Sequence, residues 1–345
     1  MGAPHPGNDG TWAVLLRRSI TCDLPRGRHR FPPPVLIDES PMSPMSTAGR
    51  FCWHELMTTD PDGAIAFYGK LAGWTTEAHA QDPSYRMWKT PKVTIGGVMK
   101  LPEEAQKMGS PSHWVPYVEV TDVDGTVHKA QSMGGKVYVP GTDIPTMGRF
   151  AVLADHQGAT FAIYRGSAGL SPDTEPGPGE FSWHEMIAAD LDAAWRFYSS
   201  LFGWEKREAL DMGQAGIYQV FRNAGGSRDL GGMYKKPADM PAPPHWLCYV
   251  NVASAAKAGE FTRKSGGQVM MGPMEVPGGG HIIAGVDPQG AAFATFEPPK
   301  SMKPAKSKPK KKAAKKKKAP AKKKTKSRKA KPKKRPAKKK TRKRR

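Results

Sequence analysis

The segment RFCWHELMTTD at residues 50–60 returns as EFSWHEMIAAD at residues 180–190. A repeat 130 residues apart is a whole domain and not a solenoid unit, so the chain must fold as two copies of one architecture. In the first copy FCWHELMT suits a strand that places Phe51, Trp53, Glu55 and Met57 on one face. Asp60 then reads as a helix N-cap, with Pro61 at the first helical position, where its missing N–H costs nothing. Ala64, Phe67, Tyr68 and Leu71 form an apolar stripe at helical spacing, and Gly73 ends the helix before Trp74. The second copy supplies Asp190, Ala194, Phe197, Tyr198, Leu201, Gly203 and Trp204 position for position.

The echo continues. SHWVPYVEV at 112–120 pairs with PHWLCYVNV at 244–252, and each leads into a short helix ended by Gly134-Gly135 or Gly266-Gly267. Each copy closes on a turn and a strand, DHQGATFAIY at 155–164 and DPQGAAFATF at 287–296. Within one copy the order is therefore strand, helix and three strands, followed by the same again.

Outside the repeats the composition changes abruptly. Residues 300–345 carry 23 Lys and 5 Arg with no acidic residue, whereas the remaining 299 residues are net negative by 5. The formal net charge of +23 thus joins a mildly acidic body to a polycationic tail. The tail has almost nothing to bury and its charges repel one another, so it is expected to be disordered. Residues 1–48 are rich in Pro, Gly and Arg without periodicity; they read as a disordered extension, with Met42 or Met45 as alternative starts. The expected domains are residues 49–166 and 180–299, joined by a Pro/Gly/acid linker at 167–179.

No apolar run approaches the length of a membrane span, and the twin arginines of LLRRSITC precede no apolar export segment. Cys22, Cys52 and Cys248 show no metal-type spacing and no disulfide framework, which makes a reducing cytoplasm the default expectation.

The order of elements, with D…A..FY..LFGW after the first strand and D.QG..F before the last, resembles the vicinal oxygen chelate superfamily. That superfamily includes glyoxalase I, bleomycin-resistance proteins and extradiol dioxygenases. The resemblance implies an α+β fold of two tandem domains, each a pair of βαβββ units whose mixed sheet curls into a cup. It also implies a divalent metal held in the cup by His and Glu. Those ligand positions fall on Trp53 and Trp183, near Val115 and Leu247, and on Ala162 and Ala294. Indole and alkyl groups offer no lone pair suited to zinc, iron or nickel. No metal or other cofactor is therefore expected, a divalent metal being the alternative.

If strand parity holds, Trp53, Glu55 and Met57 face the first cup, and Trp183, Glu185 and Ile187 the second. A carboxylate among aromatics has its pKa raised by desolvation, which suits a general base or a cation-binding group. Glu55 and Glu185 are the catalytic candidates; the alternative is that each only orients its strand. His113 and Tyr117 share a face with Val115, and His245 and Tyr249 repeat the arrangement. With Trp53 and Trp183 they are the ligand-binding candidates, against a reading as strand ends and core. His54 and His184 are expected to face away from the cups, against a helix or a partner.

The tail spaces Pro and Ala among lysine runs and resembles the tails of linker histones and some nucleoid proteins. Lys310, Lys311, Lys312, Lys315, Lys316, Lys317, Lys318, Lys322, Lys323, Lys324, Lys338, Lys339 and Lys340 are the nucleic-acid-binding candidates. Counterion release gives affinity for DNA or RNA without sequence preference, and without interleaved aromatics no base stacking is expected. The expectation is a metal-independent, glyoxalase-like protein that binds a small metabolite and is held at the nucleoid by its tail. The alternative is an enzyme (a lyase, isomerase or dioxygenase) using Glu55, Glu185 or an unplaced metal. A homodimer that completes the cups stays open.

Overall fold

The structure, a computed structural model, describes residues 48–80, 82–170 and 174–299, all within one compact unit. Expectations for residues 1–47 and for the lysine tail from residue 300 lie outside the described residues.

The first copy runs β1 (Phe51–Thr58), α1 (Pro61–Ala72), β2 (Thr75–Ala78), β3 (Arg86–Lys89) and β4 (Thr94–Lys100). A short α2 (Glu103–Lys107) leads to β5 (His113–Glu119), α3 (Val123–Ser132), β6 (Lys136–Ile144), β7 (Gly148–Ala154) and β8 (Thr160–Gly166). These strands form one eight-stranded sheet in the order β2-β3-β4-β1-β5-β8-β7-β6. The leading strands β1 and β5 pair antiparallel at its centre, while each lies parallel to the last strand of its own unit. The second copy repeats this with β9 (Phe181–Ala188), α4 (Leu191–Phe202), β10 (Trp204–Asp211), β11 (Ile217–Asn223), β12 (Asp229–Lys235), β13 (His245–Asn251), α5 (Ala255–Lys264), β14 (Gln268–Glu275), β15 (His281–Val286) and β16 (Ala292–Glu297). Its sheet order is β10-β11-β12-β9-β13-β16-β15-β14. The α+β class and the paired βαβββ units are those the repeat implied.

The helix signals act as read. Asp60 accepts a hydrogen bond from the Gly63 N–H at 3.0 Å and Asp190 accepts one from the Ala193 N–H at 2.9 Å, each satisfying a first-turn donor. Gly73 and Gly203 end α1 and α4 with φ of 75° and 69°, a conformation that a side chain disfavours.

Both helix-bearing faces are buried, and they are buried against each other. One apolar cluster joins Val123, Val127 and Phe161 of the first copy to Phe197, Tyr198 and Trp204 of the second. The other joins Phe67, Tyr68 and Trp74 to Ala255, Ala258 and Phe293. Each large side chain buried there stabilises the fold by about 1.5–3 kcal/mol, and that gain requires both copies. Hydrogen bonds cross in pairs. The indole of Trp74 donates to Gly179 O and that of Trp204 to Gly49 O, both at 2.7 Å. The hydroxyls of Tyr68 and Tyr198 donate to Asp287 and Asp155, both at 3.0 Å. Those two Asp residues also shape their own turns, accepting from the N–H of Gln157 and Ala159, or of Gln289 and Ala291. The FY motif of each copy thus meets the D.QG motif of the other.

One face assignment is corrected. Phe51 does not share a face with Trp53, because the register shifts between them. The bulge turns Phe51 onto the helix face, where its ring stacks on His184 at 3.6 Å between centroids.

Candidate functional site

The opposite face of each sheet carries Trp53, Glu55 and Met57, or Trp183, Glu185 and Ile187. Cross-strand pairing sets Trp53 beside Tyr117, Glu55 beside Val115 and Met57 beside His113. The second copy matches with Trp183 beside Tyr249, Glu185 beside Leu247 and Ile187 beside His245. All eight sequence-predicted site residues of the body therefore lie on the two cup faces. Val115, Tyr117, Trp53, Met57, Phe150 and Tyr164 pack together in the first cup. Leu247, Tyr249, Trp183, Tyr234, Met271 and Phe296 do so in the second.

The two carboxylates form the floors. Glu55 is 5% exposed and Glu185 is 7% exposed. Tyr117 donates its hydroxyl to Glu55 at 2.5 Å, and Tyr249 donates to Glu185 at 3.0 Å. Burial pushes the Glu55 carboxyl up to about 6 against the pull of the Tyr117 hydroxyl. Burial pushes Glu185 up to about 7, opposed by hydrogen bonds from Tyr218 and Tyr249. Among the described residues neither carboxylate is in an ion pair.

Tyr85, Tyr218 and Tyr234 complete the cups and were not singled out from the sequence. The Trp53 indole donates to the Tyr85 hydroxyl at 3.1 Å, and the Trp183 indole donates to that of Tyr218 at 2.8 Å. Paired glycines make this possible. Gly97 and Gly232 lie beside Glu55 and Glu185 in register. A Cβ on Gly97 would stand 2.0 Å from Tyr85 Oη, and one on Gly232 2.0 Å from Tyr218 Cε1. Bare backbone there lets each phenol lie against the sheet next to its carboxylate. The repeated Gly-Gly in TIGGVMK and DLGGMYK, each following a Tyr at or just before the preceding strand, was the available signal.

His113 and His245 stand half-buried at the cup rims, with Nδ1 2.7 Å from Pro111 O and 2.8 Å from Pro243 O. Burial lowers both imidazole pKa values, so both rings are neutral near pH 7. His54 and His184 face away from the cups, as strand parity requires, and they meet each other. Their Nε2 atoms are 2.7 Å apart, and Cys248 brings its sulfur into the same cluster, with all three ligand-type atoms within 4.8 Å. Two nitrogens bound to one zinc at 2.0–2.1 Å stand roughly 3.3 Å apart, so the observed contact is a hydrogen bond.

Residues 181–295 match the family model of the Glyoxalase/Bleomycin resistance protein/Dioxygenase superfamily, and residues 53–164 match that of the Glyoxalase-like domain. The chain belongs to this superfamily. A Mycobacterium tuberculosis protein named "Putative glyoxylase CFP32" is 29% identical over 250 residues, covering 71% of this chain and 94% of its own length. The "Anthracycline biosynthesis protein DauV" of Streptomyces sp. (strain C5) is 25% identical over 267 residues, covering 72% and 93%. Among solved structures, the 2,3-dioxygenase LapB from Pseudomonas sp. KL28 shares the fold with a TM-score of 0.51 at 14% identity, covering 73% of this chain and 93% of its own. The Mn(II)-bound glyoxalase from Novosphingobium aromaticivorans gives 0.50 at 15% identity, covering 73% and 82%.

The superfamily's metal positions do not suit a metal here. Strand pairing sets Tyr117, two residues on from the expected Val115, between Trp53 and Ala162, and Tyr249, two residues on from Leu247, between Trp183 and Ala294. Glu55 and Glu185 remain as isolated carboxylates. Among the described residues, the group of three His, Cys, Asp or Glu side chains that converges is His54, His184 and Cys248, on the other face of the sheets.

A groove of about 490 Å³ lies outside the cups, lined by Trp195, Lys206, Ile217, Gln219 and Lys235 at the start of α4. The Gln219 amide nitrogen is already bonded to the carbonyls of Arg207, Glu208 and Val220. The first copy has Ile65 and Thr76 where this groove has Trp195 and Lys206. The cups, unlike this groove, hold a buried carboxylate at the same position in both copies, so the candidate site is placed there. Among the described residues no helix is long and apolar enough to cross a membrane.

Proposed function

We propose that the cups bind a small, partly aromatic or amphipathic organic molecule without a metal at the superfamily positions. The lysine tail of residues 300–345 holds the protein on DNA or RNA at the nucleoid without reading sequence. The observation that carries the first part is the pair of buried carboxylates, Glu55 and Glu185. Each is buried, accepts a hydrogen bond from a phenol hydroxyl and, among the described residues, is in no ion pair. Isolated buried carboxylates are costly to maintain, and polar groups converging in an apolar, aromatic concavity are what small-molecule sites offer. The names of the two relatives, a glyoxylase and an anthracycline biosynthesis protein, both concern small organic molecules.

A second reading has one observation in its favour. Carboxyl groups poised at about 6 and 7 can take and return a proton near neutrality, as a general base does. Metal analysis of the dialysed full-length protein, with a ligand screen read by tryptophan fluorescence, tests the proposal. Substoichiometric zinc, iron, nickel and manganese together with saturable binding that depends on Glu55 or Glu185 are expected. Tight binding of one metal per domain, with ligand binding lost on its removal, would contradict it.

A further inference from the structure

The second cup differs from the first in one informative way. Tyr234 stands in the second where the first has Met99, at the same place relative to Glu185 and Glu55. The Tyr218 and Tyr234 rings are stacked 5.9 Å apart between centroids. Trp183, half-buried on the central strand β9, bonds Tyr218 across the intervening β12, and Tyr249 bonds Glu185 from the other side. Four aromatic side chains from β9, β11, β12 and β13 therefore surround one carboxylate.

None of these groups neutralises that charge. Tyr218, Tyr234 and Tyr249 are held protonated by burial, and they supply dipoles and ring faces only. Lys236, near His245 at the rim, gives its ammonium to the carbonyls of Met240 at 2.6 Å and Pro237 at 3.4 Å. Among the described residues no cation pairs with this carboxylate, and the negative faces of Tyr and Trp rings favour a cation in the same space.

We propose that the second cup recognises an organic cation, a protonated or quaternary amine carried on an apolar body. Its charge sits between Glu185 and the rings of Trp183, Tyr218, Tyr234 and Tyr249. The first cup, with Met99 in place of a ring, is the weaker copy. This rests on the reading that the cups are small-molecule sites. It adds the charge of the ligand and the domain that binds it. An ionised Glu185 is required, so binding a cation at pH 6 releases a proton from the carboxyl.

Calorimetry on the full-length protein with three probes tests this: benzyltrimethylammonium, benzyl alcohol and benzoate. Benzyltrimethylammonium is expected to bind at least about tenfold more tightly than the other two, and to release protons at pH 6. Glu185→Gln should weaken it about tenfold or more, and Tyr234→Met severalfold, with melting temperatures near that of the wild type. Glu55→Gln should have the smaller effect. If benzyl alcohol or benzoate binds as well as the cation and needs Glu185, the cup is a ligand site but the cation inference is wrong. If none of the three probes binds, both readings fall.

Discussion

His54 Nε2 lies 2.7 Å from His184 Nε2 at the contact between the two copies. Each ring is sandwiched against the other copy's phenylalanine, His54 on Phe181 and His184 on Phe51. Only one proton fits between the two nitrogens. His184 Nδ1 is 3.2 Å from Leu230 O, and His54 Nδ1 is 3.4 Å from Ile95 O. Two neutral rings carry two protons for these three contacts, so one ring donates from Nε2 and the other accepts. The most repeated feature of the sequence, Trp-His-Glu, thus divides its work. Trp and Glu build a cup, and His joins the two domains.

That joint makes stability depend on pH. Burial holds the His54 imidazole down to about 3 and lowers His184 as well, against 6.5 for a free imidazole. Below 6.5 the unfolded chain binds more protons at these sites, so their contribution is lost as pH falls. Glu55 and Glu185 act oppositely. Their folded values of about 6 and 7 lie above the ordinary 4.5, so they add stability below 4.5 and lose it as pH rises through 6 to 7. Urea unfolding of the full-length protein should vary little between about pH 6.5 and 4.5 and weaken steadily below that. In Glu55→Gln/Glu185→Gln the fall should begin near 6.5. A wild-type protein that gains stability down to pH 3.5 would show that the histidines are not buried neutral.

Tyr68 and Tyr198 should be equivalent. Each donates to an Asp of the other copy and accepts an indole N–H, from Trp114 or Trp246, at 3.0 Å. Replacing either by Phe leaves a buried carboxylate and a buried indole each short of a partner, costing about 1–3 kcal/mol in a chemical denaturation series. Unequal losses would mean that the two halves of the contact are not matched.

The glycine pairs separate fold from site. Gly97→Ala and Gly232→Ala press on the Tyr85 and Tyr218 rings, which can swing away, so ligand binding should fall with modest loss of stability. Gly96→Ala and Gly231→Ala place a Cβ 2.0 Å and 1.9 Å from the carbonyl oxygens of His54 and His184, where only backbone can yield. Those two should cost more, about 1–3 kcal/mol or above, in thermal melts.

The architecture was legible because its signals are local and occur twice. Asp60 and Asp190 cap helices, Gly73 and Gly203 end them, and strand parity put Glu55 and Glu185 on the cup faces. Long-range packing was not legible. The outward parity of His54 could be read, but not that it meets His184, since nothing in strand periodicity says what covers a face. Phe51 was misassigned because a bulge breaks parity without changing residue spacing. Tyr85 was passed over because it sits in a polar turn before a four-residue strand, and Tyr218 because a glycine-interrupted turn precedes its strand.

The tail carries 28 cations and the rest of the chain is net negative. If ~8 of those cations engage phosphates at once, log K for duplex DNA should fall against log salt with a slope of roughly −7. Sequence should matter little, and residues 1–299 alone should not bind. DNA binding by residues 1–299, or salt-insensitive binding by the whole protein, would reverse this division of labour.

The most direct test of the carboxylate-floored cup compares one set of small-molecule hits across four full-length proteins: wild type, Glu55→Gln, Glu185→Gln and the double variant. Glutamine keeps the shape and can still accept from Tyr117 or Tyr249, so melting at neutral pH should change little. Dissociation constants measured by fluorescence titration should rise about tenfold or more in at least one single variant and in the double variant. Hits that bind the double variant as tightly as the wild type would contradict the assignment and leave Glu55 and Glu185 as structural groups.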